Sequence, residues 1–276
     1  MPERLDRLNA FLKKARWDDA ERRLLAADAS FRHYDRLTRG NESMVLMDAP
    51  PPMEDVRPFL KIDQKLEDLG YSAPHVHAQD VDDGFVLLED FGDSTYTRLL
   101  KNGADERALY ELATDLLIDL NRRDDSETVP AGLARYDKDA LTREALLFTD
   151  WFMPAAFGRE TDKTVADDFV LLWEKLFPIA NDVPQTLVLR DYHVDNLLLL
   201  NNRAGVKACG LLDFQDALHG AATYDIMSLM EDARRDIDFD LLTAMRDRYI
   251  AGMGDKLPDR GAFLASWAVW AAQRHV

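Results

Sequence analysis

Apolar and polar positions alternate along this chain in patterns that change period several times. Leu5, Leu8, Phe11, Leu12 and Ala15 follow the i, i+3, i+4, i+7 spacing of an amphipathic helix, which predicts a helix over residues 3–25. Two β-prone runs then flank the turn Arg39-Gly40-Asn41-Glu42, the second being Met44 to Met47, and predict a hairpin. Pro50 to Pro52 cannot continue a ladder and mark a break. After them Val56, Phe59, Leu60, Ile62, Leu66 and Leu69 give a helix that stops at Gly70. A short apolar strand, Gly84 to Leu88, runs into the polar Glu89-Asp90-Phe91-Gly92. Beyond it helical spacing dominates: Leu109, Leu112, Ala113, Leu116, Leu117 and Leu120 form one stripe, and Val165, Phe169, Leu172, Trp173, Leu176 and Phe177 a second, both predicted to be core. One more pair of strands interrupts the helices. Thr186 to Leu189 ends in a polar cluster, Leu197 to Leu200 leads to a turn over residues 201–205, and Val206 to Leu212 delivers Asp213. The last residues, Phe263 to Val276, are an apolar aromatic stripe without a cap. The pattern predicts an α+β fold, with strands over 1–88 and mainly helices over 89–276, and the length leaves room for two lobes.

Composition narrows the classes. With 276 residues and 47% hydrophobic content the chain can bury a substantial core. A formal charge of −17 argues against a nucleic-acid partner, which requires a basic footprint. Apolar runs are broken by charges short of the ~18 residues a membrane span needs, and the N-terminus lacks an apolar signal core, so a cytoplasmic location with no membrane partner is expected. The single cysteine, Cys209, lies in an apolar strand and is expected to be a buried small hydrophobe. His75 and His77 have no third ligand at metal spacing.

The polar ends of the second strand pair carry chemistry. Asp191 and Asn196 stand at one end, and the returning strand brings Asp213 back to it, seventeen positions beyond Asn196. Phosphoryl transfer needs a carboxylate to orient and deprotonate the attacking hydroxyl, and oxygen ligands for Mg²⁺. Asp-x-x-x-x-Asn followed by Asp at the end of an apolar run matches the catalytic and metal loops of kinases, with Asp191 as catalytic base and Asn196 and Asp213 as metal ligands.

On these residues the chain resembles the aminoglycoside phosphotransferase and choline-kinase-like family, although Leu189 stands where that group's first histidine usually lies. Three further phrases resemble a narrower subgroup, the anomeric N-acetylmuramate and N-acetylglucosamine kinases of cell-wall recycling. They are Ala27 to Leu37, Val45 to Pro51 and Leu87 to Tyr96. The resemblance implies a two-lobe protein-kinase-like fold, a small antiparallel-sheet lobe over 1–88 covering the nucleotide and a mainly helical catalytic and substrate lobe over 89–276, with ATP as donor and Mg²⁺. It implies that Ser30, Phe31 and Arg32 belong to the loop over the phosphates, which has no glycine here, and that the Glu89 carbonyl and Phe91 N–H receive adenine. It implies that Asp225 accepts backbone hydrogen bonds from the catalytic loop. The lysine that kinases carry on their third strand falls at or near Met47, so the phosphate-binding charge is left to Arg32, Arg36, Lys61 or Lys65, or to Mg²⁺ and backbone. Glu67 is either the partner of such a cation or a solvated carboxylate.

An aromatic and acidic cluster interrupting the helical period makes Glu144, Asp150 and Trp151 candidates for the acceptor pocket, and Glu231 to Arg235 is either a solvated face or brings Arg234 or Arg235 to an acidic substituent. The expected acceptor is the anomeric hydroxyl of an N-acetyl amino sugar; the alternatives are an aminoglycoside, choline or another amino-alcohol, or a nucleotide-binding pseudokinase. Oligomeric state stays open. The resemblance also implies that the chain continues past Val276, which would leave the last apolar stripe exposed.

Overall fold

A computed structural model of the chain describes residues 2–27 and 31–275. Its first helix, α1 (Pro2–Lys14), is shorter than the expected 3–25, and residues 21–27 form a strand, β1 (Glu21–Ala27). The stripe explains the difference, because after Ala15 the polar run Asp18, Asp19, Glu21, Arg22, Arg23 offers nothing apolar at helical spacing. Arg16 takes φ +62° and the Trp17 N–H donates to the Leu12 carbonyl at 2.8 Å, which closes the helix and folds Trp17 back under it.

β2 (His33–Arg39) and β3 (Glu42–Asp48) form the expected hairpin around Gly40, whose φ of +59° suits the turn. Next come α2 (Arg57–Asp68), β4 (Val76–Asp80) and β5 (Phe85–Glu89), completing an antiparallel sheet in the order β1-β2-β3-β5-β4. The period of two divides β5 between two cores: Phe85 and Leu87 meet Leu8, Phe11 and Leu12 of α1, while Val86 and Leu88 face the helical half. α2 covers that second face with Phe59, Ile62 and Leu66 and ends as expected at Gly70, φ +87°.

One polar residue interrupts the apolar face of α2. Asp63 is 1% exposed, one carboxylate oxygen has no hydrogen-bond partner, and burial first, then Glu67 and Glu89, push its pKa up to about 8. The folded value lies above the unfolded one, so its contribution to stability is complete below about pH 4 and lost as pH rises through about 8. Asp63→Asn does not titrate. The variant is expected to melt about 5 °C above the parent at pH 8.5 and within about 1 °C of it at pH 5, read by thermal denaturation at both pH values. An equal shift at both would refute the buried charge.

The helical half begins with α3 (Tyr96–Lys101), α4 (Glu106–Arg122), α5 (Asp125–Thr128) and α6 (Lys138–Leu147), then a π-helical turn over Phe148–Phe152 and α7 (Met153–Phe157). It continues with α8 (Lys163–Ala180), β6 (Gln185–Val188), β7 (Leu197–Leu199), β8 (Cys209–Leu211), β9 (Leu218–Ala221), α9 (Tyr224–Met230), α10 (Phe239–Met253) and α11 (Arg260–His275). β7 pairs with β8, Leu197 opposite Leu211, so the predicted hairpin exists; β6 pairs with β9 instead. Cys209 is buried there, its thiol pushed up to about 11 by burial.

Two expectations about packing are corrected. The α8 stripe is only partly core: Trp173 and Phe177 are buried, whereas Val165 and Leu172 are exposed, because α8 packs on α6 and α11 along the Trp173 and Phe177 side alone. The final stripe is not exposed. Phe263, Trp267 and Trp270 are buried as α11 packs on α8 and α9, the Trp270 ring N–H donating to the Ala180 carbonyl at 3.0 Å. Among the described residues no helix is long and apolar enough to cross a membrane.

Candidate active site

Between sheet and helices lies a cavity of about 350 Å³. Leu25, Tyr34, Val45 and Leu88 form one wall, Leu198 and Leu212 the other, and residues 89–92 the edge, with Asn196 and Asp213 at the end. Two apolar walls with a backbone edge suit a flat heteroaromatic ring. The acidic side chains of that edge are occupied elsewhere: Glu89 binds Arg203 at 2.5 Å, whose guanidinium also lies over Phe91, and Asp90 binds Arg36 at 2.7 Å. The Glu89 and Asp90 side chains are thus turned to arginines where residues 89–92 line the cavity. Ser30 lies outside the described residues, while Phe31 and Arg32 lie just ahead of β2.

The loop after β6 is bent and braced. The Asp191 N–H donates to the Leu189 carbonyl at 2.9 Å, closing a three-residue turn around Arg190 at φ +74°. Asp225, 2% exposed at the start of α9, accepts the Leu189 and Arg190 N–H groups at 2.7 and 2.9 Å. This is the contact the resemblance implies. Burial raises the Asp225 pKa to about 7, against the two hydrogen bonds that lower it. The Tyr192 hydroxyl donates to the Ala113 carbonyl at 2.8 Å and ties the loop to α4.

Asn196 joins the three sequence-predicted groups. Its amide nitrogen lies 3.0 Å from the Asp191 carbonyl oxygen and 3.3 Å from Asp213 Oδ2, and the Asn196 carbonyl accepts the Leu212 N–H at 3.0 Å. Asp213 sits at φ +58°, a strained position for a non-glycine residue, and Gln215 donates to its other oxygen at 2.8 Å. Burial first, then Asp213, raise the Asp191 pKa, while Arg190 and Arg274 pull it down. The donor set fits a hard divalent cation: one carboxylate, and an amide whose nitrogen is turned to Asp191 and Asp213, so that its oxygen could serve as a ligand.

The acceptor candidates divide. Glu144 is at the site, bonded to Arg190 at 2.5 Å, to the Tyr136 hydroxyl, and to Gln273 at 3.2 Å. Arg234 borders the catalytic loop, 3.8 Å from Asp195 and 3.0 Å from Asp232. Asp150 and Trp151 are exposed on the π-helical turn, Trp151 at 73%, and among the described residues neither makes a hydrogen bond or ring contact with the loop. Glu67 pairs with His75 at 3.0 Å and, among the described residues, with no Lys or Arg.

Sequence reasoning missed Arg190, Gln273 and Arg274. Arg190 had a signal, its place directly before Asp191. Gln273 and Arg274 had none, since only the docking of α11 brings them in, Arg274 reaching the Tyr224 hydroxyl at 3.1 Å.

A family model described as the phosphotransferase enzyme family matches residues 21–264. N-acetylmuramate/N-acetylglucosamine kinase of Pseudomonas aeruginosa is 42% identical over 209 residues, covering 75% of this chain and 59% of that protein. The protein of the same name from Pseudomonas putida is 37% identical over 235 residues, covering 83% and 65%. The chain thus spans about three fifths of the length of these relatives. In the solved gentamicin–APH(2")-IIa complex the protein superposes with a TM-score of 0.65 at 18% identity, covering 97% of this chain and 84% of that one, a shared two-lobe kinase-like fold.

Proposed function

Because the chain belongs to the phosphotransferase enzyme family, we propose that it is a small-molecule kinase transferring the γ-phosphoryl group of ATP to the anomeric hydroxyl of N-acetylmuramate or N-acetylglucosamine. The observation that carries the chemistry is Asn196, whose amide links the Asp191 turn to Asp213 within 3.3 Å and so joins base and metal ligand in one unit. Adenine occupies the cavity against residues 89–92, which directs the phosphates toward Asn196 and Asp213. Asn196 and Asp213 would hold Mg²⁺, which would supply charge neutralisation at the phosphates. Asp191 accepts the hydrogen bond of the sugar hydroxyl, orients its lone pair, and takes its proton at Oδ as the oxygen attacks. Its raised pKa makes it a better proton acceptor than an exposed aspartate.

Two observations support an amino sugar over a cationic aminoglycoside or choline. Both Pseudomonas relatives carry that sugar-kinase name, and beside Asp191, along with Asp213 and Asp216, stand two arginines, Arg190 and Arg274, that suit an acidic substituent. A carboxylate-bearing sugar has cationic partners there that an aminoglycoside or choline would not use. The test is ATP consumption with N-acetylmuramate, N-acetylglucosamine, kanamycin and choline, with products located by ³¹P NMR. A sugar 1-phosphate from the two N-acetyl sugars is expected. Turnover of kanamycin or choline alone would overturn the acceptor, and ATP binding without turnover of any would favour a pseudokinase.

A further inference from the structure

Three acceptors surround the Asn196 amide nitrogen, and only two of them belong to the proposed chemistry. Besides the Asp191 carbonyl at 3.0 Å and Asp213 Oδ2 at 3.3 Å, the ring nitrogen Nε2 of His193 lies 3.3 Å away. A carbonyl and an ionised carboxylate only accept, so these two fix which end of the Asn196 amide is nitrogen. The amide nitrogen in turn fixes the ring. It can only donate, so His193 Nε2 accepts and the ring proton belongs on Nδ1. That second ring nitrogen is buried without a hydrogen-bond partner, which leaves the contact with Asn196 as the only hydrogen bond of the ring among the described residues.

The loop holds His193 in place for this contact. His193 is 5% exposed, and its carbonyl accepts the Asn196 N–H at 2.9 Å, a turn that brings ring and amide together. Its neighbours anchor that turn on both sides: Tyr192 bonds to α4, and the Val194 carbonyl accepts the Thr97 N–H of α3 at 3.2 Å. The amide has two hydrogens for its three acceptors. The Asp191 carbonyl takes one at the shortest distance, and His193 and Asp213 share the other. Asp213 is also the carboxylate of the proposed metal site, and an oxygen that serves a cation is a poorer acceptor for an N–H. His193 is then the partner that keeps the nitrogen turned inward, the part an outer-shell group plays for a metal ligand.

We propose that His193 is a positioning residue of the metal site, accepting the second Asn196 N–H at Nε2 and so leaving the Asn196 oxygen for Mg²⁺. The inference rests on the reading of Asn196 as a metal ligand but not on the identity of the acceptor sugar. It is tested by calorimetric binding of ATP with Mg²⁺, of ATP with EDTA, and of adenosine to the full chain and to His193→Gln, His193→Asn and His193→Phe, with a thermal melt of each. The readout is the factor by which Mg²⁺ tightens ATP. Glutamine carries an amide to about the position of Nε2, asparagine only to that of Nδ1, and phenylalanine fills the space without an acceptor. His193→Asn and His193→Phe should remove most of the Mg²⁺ factor, on the scale of about 10-fold, with adenosine within about twofold of the parent. His193→Gln should keep the factor within about threefold. An unchanged factor in the asparagine and phenylalanine variants overturns the proposal. So does a glutamine variant no better than asparagine, or an equal loss of ATP and adenosine with a lowered melting temperature, which marks packing alone. Where His193→Phe does not fold, the glutamine and asparagine variants decide. A parent that binds ATP equally with and without Mg²⁺ overturns the metal reading of Asn196 and Asp213, one that binds neither ATP nor adenosine overturns the nucleotide reading, and the proposal falls with either.

Discussion

Asp191→Asn is expected to lower kcat about 10³-fold, the scale of a lost general base, with Mg·ATP affinity unchanged within about twofold. In the proposed mechanism the carboxylate serves the acceptor, while the cavity wall and the Asp213 end would carry the nucleotide, so the effect should fall on kcat and not on the nucleotide KM. The variant should not unfold. Burial and the neighbouring Asp213 both disfavour the charged form of Asp191, so a neutral isostere relieves repulsion and the melting temperature should hold or rise. The same shift sets the acid side of the rate profile. The base must be unprotonated to act and its pKa is raised, so kcat should fall on acidification at a higher pH than an ordinary aspartate would give. Steady-state kinetics from pH 4 to 8 with a thermal melt of the same preparation check both points. Turnover within tenfold of the parent would remove Asp191 from the chemistry. Asp213→Asn should also lose most turnover, but with a raised Mg²⁺ requirement that Asp191→Asn lacks.

The parts of this site that could be read from sequence are those delivered by local structure. Asp191, Asn196 and Asp213 lie on short strands and turns whose apolar runs and polar breaks fix their spacing, so strand pairing alone brings them within bonding reach. Gly70 marked the end of α2 for the same reason. What depended on packing between distant segments was hidden. The reversal at Arg16 uses a left-handed residue that is not glycine, which left the start of β1 looking like helix. Leu172 and Trp173 are neighbours in one stripe, yet only Trp173 is buried, and the choice is made by where α6 and α11 lie. The burial of Trp270 and the approach of Arg274 depend on the same docking of α11. Asp63 had a visible pattern, one acid within an apolar face, but the pattern does not reveal that one of its buried oxygens has no hydrogen-bond partner among the described residues.

Asp225→Ala is expected to cost both activity and stability, kcat falling about 10²- to 10³-fold and the melting temperature about 5–15 °C, because two buried N–H groups lose their acceptor at about 1–3 kcal/mol each. The reason lies in the turn it braces. Arg190 at φ +74° stores strain of the order of 1–3 kcal/mol, and the Asp225 contacts to Leu189 and Arg190 oppose its release. Without them the turn relaxes and Asp191 leaves the position from which it meets a hydroxyl. Asp225 touches neither substrate, so it is a positioning residue, and the expected signature is a fall in kcat with the KM for ATP nearly unchanged. Asp225→Asn separates bracing from charge. It retains one acceptor oxygen but sets an amide N–H against a backbone N–H, so its losses should lie between parent and alanine. The folded pKa of about 7 lies above the unfolded value, so the carboxyl's contribution is complete below about pH 4 and declines as pH rises through 7. The stability gap between parent and the non-titrating Asp225→Asn should accordingly be wider at pH 5.5 than at pH 8, in melts at the two pH values. An Asp225→Ala variant with parental kcat and melting temperature would show that the bend at Arg190 holds without its brace.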